Sequence, residues 1–64
     1  MTKITIYNKD RKFINQITGE GLFIKIIDGI QCICKDTSNA YFDGYSILYT
    51  IPQNFFLEKI QDEN

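Results

Sequence analysis

Hydrophobic and polar residues alternate along much of this chain with the two-residue period of β-strands. The alternation covers residues 3–7, where it predicts a first strand with Ile4 and Ile6 directed inward. It is clearest over residues 45–51, which are predicted to form a strand that ends at Pro52, because proline cannot donate to a ladder. Four residues of that strand are expected to share one face: Tyr45, Ile47, Tyr49 and Ile51.

Two apolar runs, residues 22–27 and residues 30–35, are separated only by Asp28-Gly29. An Asp-Gly pair between two such runs predicts a β-hairpin, because its type I′ turn requires a positive φ at both central residues. The turn sets the register, which places Ile24 opposite Ile33. Both faces of the hairpin are largely apolar, which predicts either a hairpin curled into a small barrel or a sheet whose second face meets a partner.

Residues 13–17 are predicted to form another strand, with Phe13 and Ile17 on one face and Ile14 on the other. The two glycines that follow it are typical of a bend or a bulge within a strand. We therefore expect residues 13–27 to form one long, bent strand.

The remaining connections are rich in turn-forming residues. Residues 36–40 predict a loop, Asp43-Gly44 is a second candidate turn, and residues 52–54 predict a single tight turn before a final strand over residues 55–60. Three residues near the end also have the i, i+3, i+4 spacing of a helix: Phe56, Lys59 and Ile60. One or two turns of helix over residues 53–60 are therefore the alternative.

The order of these elements is strand, long bent strand, hairpin, strand, proline turn and short last strand. Together with Tyr49-Thr50-Ile51-Pro52 and Leu57-Glu58-Lys59-Ile60, it resembles the SH3-like small barrel, in which one 3₁₀ turn precedes the last strand. The expected fold is all-β, a small five-stranded SH3-like barrel, and the alternative is an open antiparallel sheet with a short C-terminal helix. The chain lacks the tryptophan and the Ala-Leu-Tyr-Asp-Tyr-type stretch of peptide-binding SH3 domains, so poly-proline binding is not expected.

Length and composition limit what such a domain can do. With 64 residues, 44% of them hydrophobic, the chain is predicted to form a single domain over residues 1–64, with residues 61–64 as a solvated tail. A core this small leaves little room for an enclosed catalytic cavity. The net charge is −1, and no large basic field is present to hold a nucleic-acid duplex.

Frequent isoleucine, asparagine, lysine, tyrosine and phenylalanine indicate AT-rich codons, hence a low-GC bacterium or a phage or plasmid of one.

The residue types give little support for a catalytic site or a metal site. Histidine is absent, which removes the commonest general base and a frequent metal ligand, so no catalytic residue, metal site or cofactor is predicted. Cys32 and Cys34 would share one face of a strand and are expected to be reduced core thiols, with an intermolecular bridge or a redox role as the alternative. The chain shows no signal-peptide pattern and no membrane-spanning run, so the expected location is a reducing cytoplasm.

By exclusion, the first hypothesis is a non-enzymatic protein-binding module that inhibits or regulates a larger partner, consistent with a phage or mobile-element accessory protein. A single-stranded nucleic-acid or nucleotide binder is the alternative, because surface tyrosines can stack on bases beside a basic loop. A homodimer or other homo-oligomer is the third hypothesis. The candidate partner-binding residues are Tyr7, Lys9, Arg11, Lys12, Tyr41, Tyr45 and Tyr49. Against a binding role, Tyr45 and Tyr49 are also suited to closing the core, and residues 9–12 to a solvated loop.

Overall fold

The computed structural model describes residues 1–61, which form six β-strands and no helix. The strands are β1 (Thr2–Tyr7), β2 (Phe13–Gly19), β3 (Leu22–Ile27), β4 (Ile30–Asp36), β5 (Tyr45–Ile51) and β6 (Phe56–Gln61). They form two antiparallel sheets, which we call the first sheet (order β2-β1-β6) and the second sheet (order β3-β4-β5). The all-β prediction is confirmed.

The C-terminal segment is a strand, and the helical alternative is wrong. β6 pairs with β1 along its whole length, from Tyr7 opposite Phe56 to Thr2 opposite Gln61. Before it, the Phe55 N–H donates to the Pro52 carbonyl over 3.0 Å and closes the predicted tight turn. Gln61 therefore belongs to β6 instead of a tail, and residues 62–64 of the predicted tail lie outside the described residues.

The expected long bent strand is two strands, which explains why six strands form in place of five. The chain breaks at Glu20-Gly21, where Gly21 has a φ of +72°. β2 pairs in the first sheet and β3 in the second, so the bend carries the chain from one sheet to the other. Within residues 1–61 no ladder joins the two sheets, and they do not close into a barrel.

The hairpin of β3 and β4 has the predicted turn and register. Asp28 and Gly29 have φ values of 52° and 78°, as a type I′ turn requires. Ile24 lies opposite Ile33, as expected. By contrast, Asp43-Gly44 forms no two-residue hairpin. It lies at the end of the eight-residue connection between β4 and β5, and the φ of Gly44 is not positive.

Register shifts change two predicted faces. Between β1 and β2 the shift places Phe13 opposite Tyr7, while Ile17 lies opposite Ile4, so Phe13 and Ile17 do not share a face. A bulge adds one residue to one strand and so reverses the alternation beyond it. The second shift, in β5, divides the four residues that were expected to share one face: Tyr45, Ile47, Tyr49 and Ile51.

The core lies where one face of each sheet meets the other. Five aliphatic side chains form it, each at most 5% exposed: Ile4, Ile6, Leu22, Ile33 and Ile51. The inward direction of Ile4 and Ile6 is confirmed. In each sheet we call the face that contributes to this core the core face and the opposite one the outer face.

The molecule is flat and exposes more surface than its mass predicts. Its extents are 43 × 33 × 12 Å, and its radius of gyration of 12.5 Å exceeds the roughly 10.7 Å expected of a compact domain of this length. The accessible surface is 4891 Å², whereas a folded monomer of 7.5 kDa is expected to expose about 4,250 Å². Much apolar surface therefore remains uncovered. None of residues 1–61 forms a helix able to cross a membrane.

Candidate functional site

The seven candidate partner-binding residues divide between the two sheets. Tyr7 ends β1, and the three basic residues Lys9, Arg11 and Lys12 lie in the loop between β1 and β2. Tyr45 and Tyr49 lie on β5, and Tyr41 lies in the loop that precedes it. The structure therefore assigns them to two separate groups, one at each sheet.

The basic loop is ordered by hydrogen bonds around Asn8. The side-chain Oδ1 of Asn8 accepts hydrogen bonds from the N–H groups of Asp10 (2.9 Å) and Lys12 (3.0 Å). Arg11 takes a left-handed φ of 62°, and its guanidinium carbon lies 4.6 Å from the centroid of the Phe56 ring. Arg11 thus stacks on its own chain, while the side chains of the neighbouring lysines are exposed.

None of the three tyrosines at the second sheet is buried, so Tyr45 and Tyr49 do not close the core as one interpretation expected. Tyr45 nevertheless contacts two other side chains. The Phe23 ring meets it edge-on with centroids 5.9 Å apart, and the Lys25 Nζ lies 4.7 Å from its ring centroid. Tyr45 therefore presents a fixed aromatic surface to solvent.

Residues 37–44, which we call the aromatic loop, carry the two most exposed aromatic side chains of the described chain. Tyr41 is 88% exposed and Phe42 is 72% exposed. Backbone and side-chain hydrogen bonds hold the loop below them: Thr37 N–H to Gly44 O (2.9 Å), Asn39 N–H to Phe42 O (2.8 Å), Tyr41 and Phe42 N–H to Asn39 Oδ1 (2.8 and 3.0 Å), and Gly44 N–H to Ser38 Oγ (3.1 Å). The rings are thus presented on a pre-organised support.

An open depression of about 550 Å³ lies between this loop and the end of the second sheet. It is lined by Phe23, Asp36, Ser38, Asp43, Gly44 and Tyr45. The Asp36 Oδ1 accepts a hydrogen bond from the Ser38 N–H over 2.8 Å. The Ser38 hydroxyl and backbone N–H together lower the pKa of the Asp36 carboxyl from its ordinary value of 3.8, so this wall of the depression stays negative at neutral pH.

Sequence reasoning found Tyr41 and Tyr45 and missed Phe42 and Phe23 at the same end of the second sheet. Phe42 had a detectable signal, because two adjacent aromatic residues inside a run of turn formers have no strand in which to bury. Phe23 had none, because its place beside Tyr45 depends on the pairing of three strands.

The outer face of the second sheet is mostly apolar and has two thiols at its centre, with Lys25 and Thr50 opposite Cys32. Cys32 and Cys34 are 3% and 0% exposed, although they lie on the outer face, because residues of the flanking strands surround them. Both are free cysteines. Burial, followed by the neighbouring Cys32, raises the pKa of the Cys34 thiol, while Lys25 opposes that shift. A buried thiol with a raised pKa is a poor nucleophile, so Cys34 has the character of a packing residue.

Within residues 1–61 no three metal-ligating side chains come together. Comparison with protein-family models, with curated proteins and with solved structures finds no match to this chain. Function must therefore be argued from the surface itself.

Proposed function

We propose that this chain is a non-enzymatic protein-binding module that docks on a larger protein through its aromatic loop and thereby inhibits or regulates that protein. One observation carries the proposal: Tyr41 and Phe42 are consecutive residues, 88% and 72% exposed, on a loop fixed by hydrogen bonds. Aromatic side chains are enriched among residues that dominate binding energy. A loop already ordered before binding loses little conformational entropy on docking.

The surroundings of the loop support a protein partner. Exposed aromatic side chains at one end of the sheet adjoin an open depression with aromatic and carboxylate walls. This combination of an apolar centre with polar groups at its rim is typical of protein interfaces. The basic residues of the nucleic-acid alternative, in contrast, lie at the first sheet, and Arg11 already stacks on Phe56. That division favours protein binding over nucleic-acid binding.

Two finer expectations remain part of the proposal. We propose that the fold is an opened relative of the SH3-like barrel, because a bend at Glu20-Gly21 carries the chain from β2 to β3 and a proline turn precedes the last strand. NOEs between the methyl groups of Ile4 and Ile33 are expected, and their absence would contradict a shared core.

We also propose a cytoplasmic location in a low-GC bacterium or its phage, which the two free thiols support.

The test is affinity capture from a low-GC host with three baits: the native chain, a Tyr41→Ser/Phe42→Ser variant and a Phe13→Ser control. Phe13 is also a well-exposed aromatic residue, at 62%, but it lies on the first sheet. The expected result is one specific protein that binds the native chain and the control and binds the double variant at least about tenfold less.

Equal capture by all three baits, or no specific protein, would overturn the assignment of the loop. Binding of single-stranded oligonucleotides that weakens with salt and is lost in Arg11→Ala or Tyr45→Ala would replace protein docking with the nucleic-acid alternative.

A further inference from the structure

The outer face of the second sheet is a largely apolar surface that begins at the depression, with which it shares Phe23, Asp36 and Tyr45. Six side chains lie around the two thiols on it: the apolar Phe23, Ile27, Ile30 and Ile47, and the polar Lys25 and Thr50, which lie opposite Cys32. Ile30 and Ile47 are about half-exposed. A sheet with one face in water normally carries polar residues there. We therefore expect another protein surface to cover this largely apolar face.

The first sheet provides an internal comparison. Its outer face carries polar residues at its centre, where the Gln16 amide Nε2 donates to the Thr5 hydroxyl over 3.0 Å. Lys3, Thr18 and Glu58 surround that pair. The apolar side chains of that face, Phe13, Phe56 and Ile60, lie near the ends of its strands, whereas the centre of the other outer face holds the two thiols. The polar centre of the first sheet therefore makes the second sheet the better candidate for an interface.

The excess surface has the size of one side of a protein interface. The chain exposes 4891 Å², about 640 Å² more than the roughly 4,250 Å² expected for its mass. A stable interface buries about 600–1,000 Å² on each partner. Burial of about 640 Å² on each copy would bring the exposed area of the chain to the value expected of a compact protein.

A second copy is the partner that fits best, because the chain lacks other means of stabilisation. Its core has five aliphatic side chains, its two cysteines are free, and no metal-ligating cluster occurs in residues 1–61. Small domains without disulfides or metals commonly gain stability by oligomerisation. An identical chain is always present at the site of synthesis, whereas a foreign partner is not.

The charges on this face are compatible with two-fold symmetry. Lys25 and Asp36 are its two charged residues, and their neighbours in the same chain are the Tyr45 ring and Ser38. One positive and one negative side chain on a single patch are self-complementary about a two-fold axis. In a two-fold symmetric pair, the positive side chain of each copy can therefore lie opposite the negative side chain of the other.

We propose that a second copy of this chain covers the outer face of the second sheet, so that the protein is a two-fold symmetric dimer whose aromatic loops remain free. This interface shares Phe23, Asp36 and Tyr45 with the wall of the depression but does not include Tyr41 or Phe42 of the docking loop, so partner capture and dimerisation are tested with different variants. Sedimentation velocity over low to high micromolar concentrations is expected to show a monomer–dimer equilibrium, and the melting temperature is expected to rise with concentration.

The decisive variants are Ile47→Lys and the matched control Ile60→Lys. Both isoleucines are half-exposed, at 50% and 49%, and both lie on outer faces, but Ile60 belongs to the first sheet. Ile47→Lys is expected to raise the dissociation constant of the dimer at least about tenfold, because it buries an unpaired charge, while Ile60→Lys leaves it unchanged. If Ile47→Lys does not fold, the milder pair Ile47→Thr and Ile60→Thr is used. Ile47→Thr is then expected to raise the dissociation constant of the dimer more than Ile60→Thr does.

Each remaining outcome overturns the proposal. A native chain that stays monomeric at high micromolar concentration, with a melting temperature independent of concentration, has no such dimer. A dimer that dissociates in the Ile60 variants and persists in the Ile47 variants uses the other sheet. A dimer unaffected by either pair is formed through a different surface.

Discussion

Ile47 and Tyr49 lie two residues apart on β5 and yet point to opposite faces of the second sheet. Ile47 pairs with Cys34 on the outer face, and Tyr49 pairs with Ile33 on the core face. The register shift between them leaves Leu48 as one extra residue on β5, and an extra residue reverses the alternation of a strand. This bulge places Tyr45 beside Phe23 at the rim of the depression and exposes Ile47 on the outer face.

The first prediction concerns the small core. Ile33 is fully buried and Ile26 is 66% exposed, although both are isoleucines of the second sheet with core-face positions. Ile33→Ala is expected to lower the free energy of unfolding by about 2–4 kcal/mol, because it removes packed methyl groups and leaves a cavity. Ile26→Ala is expected to change it by less than about 0.5 kcal/mol. Urea unfolding of both variants at one protein concentration measures the difference, and equal losses would contradict the described core.

The second prediction concerns the backbone at Arg11. A non-glycine residue at a φ of 62° costs about 1 kcal/mol or more relative to glycine. Arg11→Gly and Arg11→Ala both remove the guanidinium from the Phe56 ring, so the loss of that contact cancels in a comparison of the two. Arg11→Gly is therefore expected to be more stable than Arg11→Ala by about 1 kcal/mol in thermal unfolding. Equal stability would show that the residue does not have this conformation in solution.

The third prediction separates loop order from general stability. Asn39 accepts hydrogen bonds from two backbone N–H groups of the aromatic loop, and Asn8 accepts two equivalent bonds in the basic loop. Each Asn→Ala substitution is expected to lower the free energy of unfolding by about 1 kcal/mol, because it removes the acceptor of both N–H groups.

Only Asn39→Ala is expected to weaken capture of the partner, because only it loosens the support of Tyr41 and Phe42. Titration of the captured partner with both variants checks this expectation. An equal loss of affinity in Asn8→Ala would show that overall stability, and not loop order, controls docking.

The fourth prediction is a loss of stability at alkaline pH. Burial raises the pKa of Cys34 in the folded state above its ordinary value of 9.0, so the folded chain retains the thiol proton more strongly than the unfolded chain does. The stabilisation is complete below pH 9.0 and is lost as the pH rises through the folded-state pKa. The slope of the unfolding free energy between pH 8 and 10 is expected to be steeper in the native chain than in Cys34→Ala, which keeps the other titrating groups. Parallel slopes would contradict a buried, protonated thiol.

The sequence by itself determined the strands and their local turns. Asp28-Gly29 favours positive φ at both positions, so one dipeptide was enough to predict the hairpin and its register. Pro52 ended β5 because it has no N–H to donate, and the alternation over residues 3–7 identified β1 and its inward isoleucines. Each of these outcomes depends on residues close together in the chain.

The tertiary structure decided which faces are covered. Three features depend on pairing with residues distant in the sequence. They are the bulge at Leu48, the break of the long strand at Gly21 and the formation of a strand by residues 56–61. Alternation within one strand specifies two faces but not which of them meets the core, because that depends on where the other sheet packs. For this reason the place of Phe23 beside Tyr45 and the exposure of Ile47 on the outer face of the second sheet became visible only in the assembled fold.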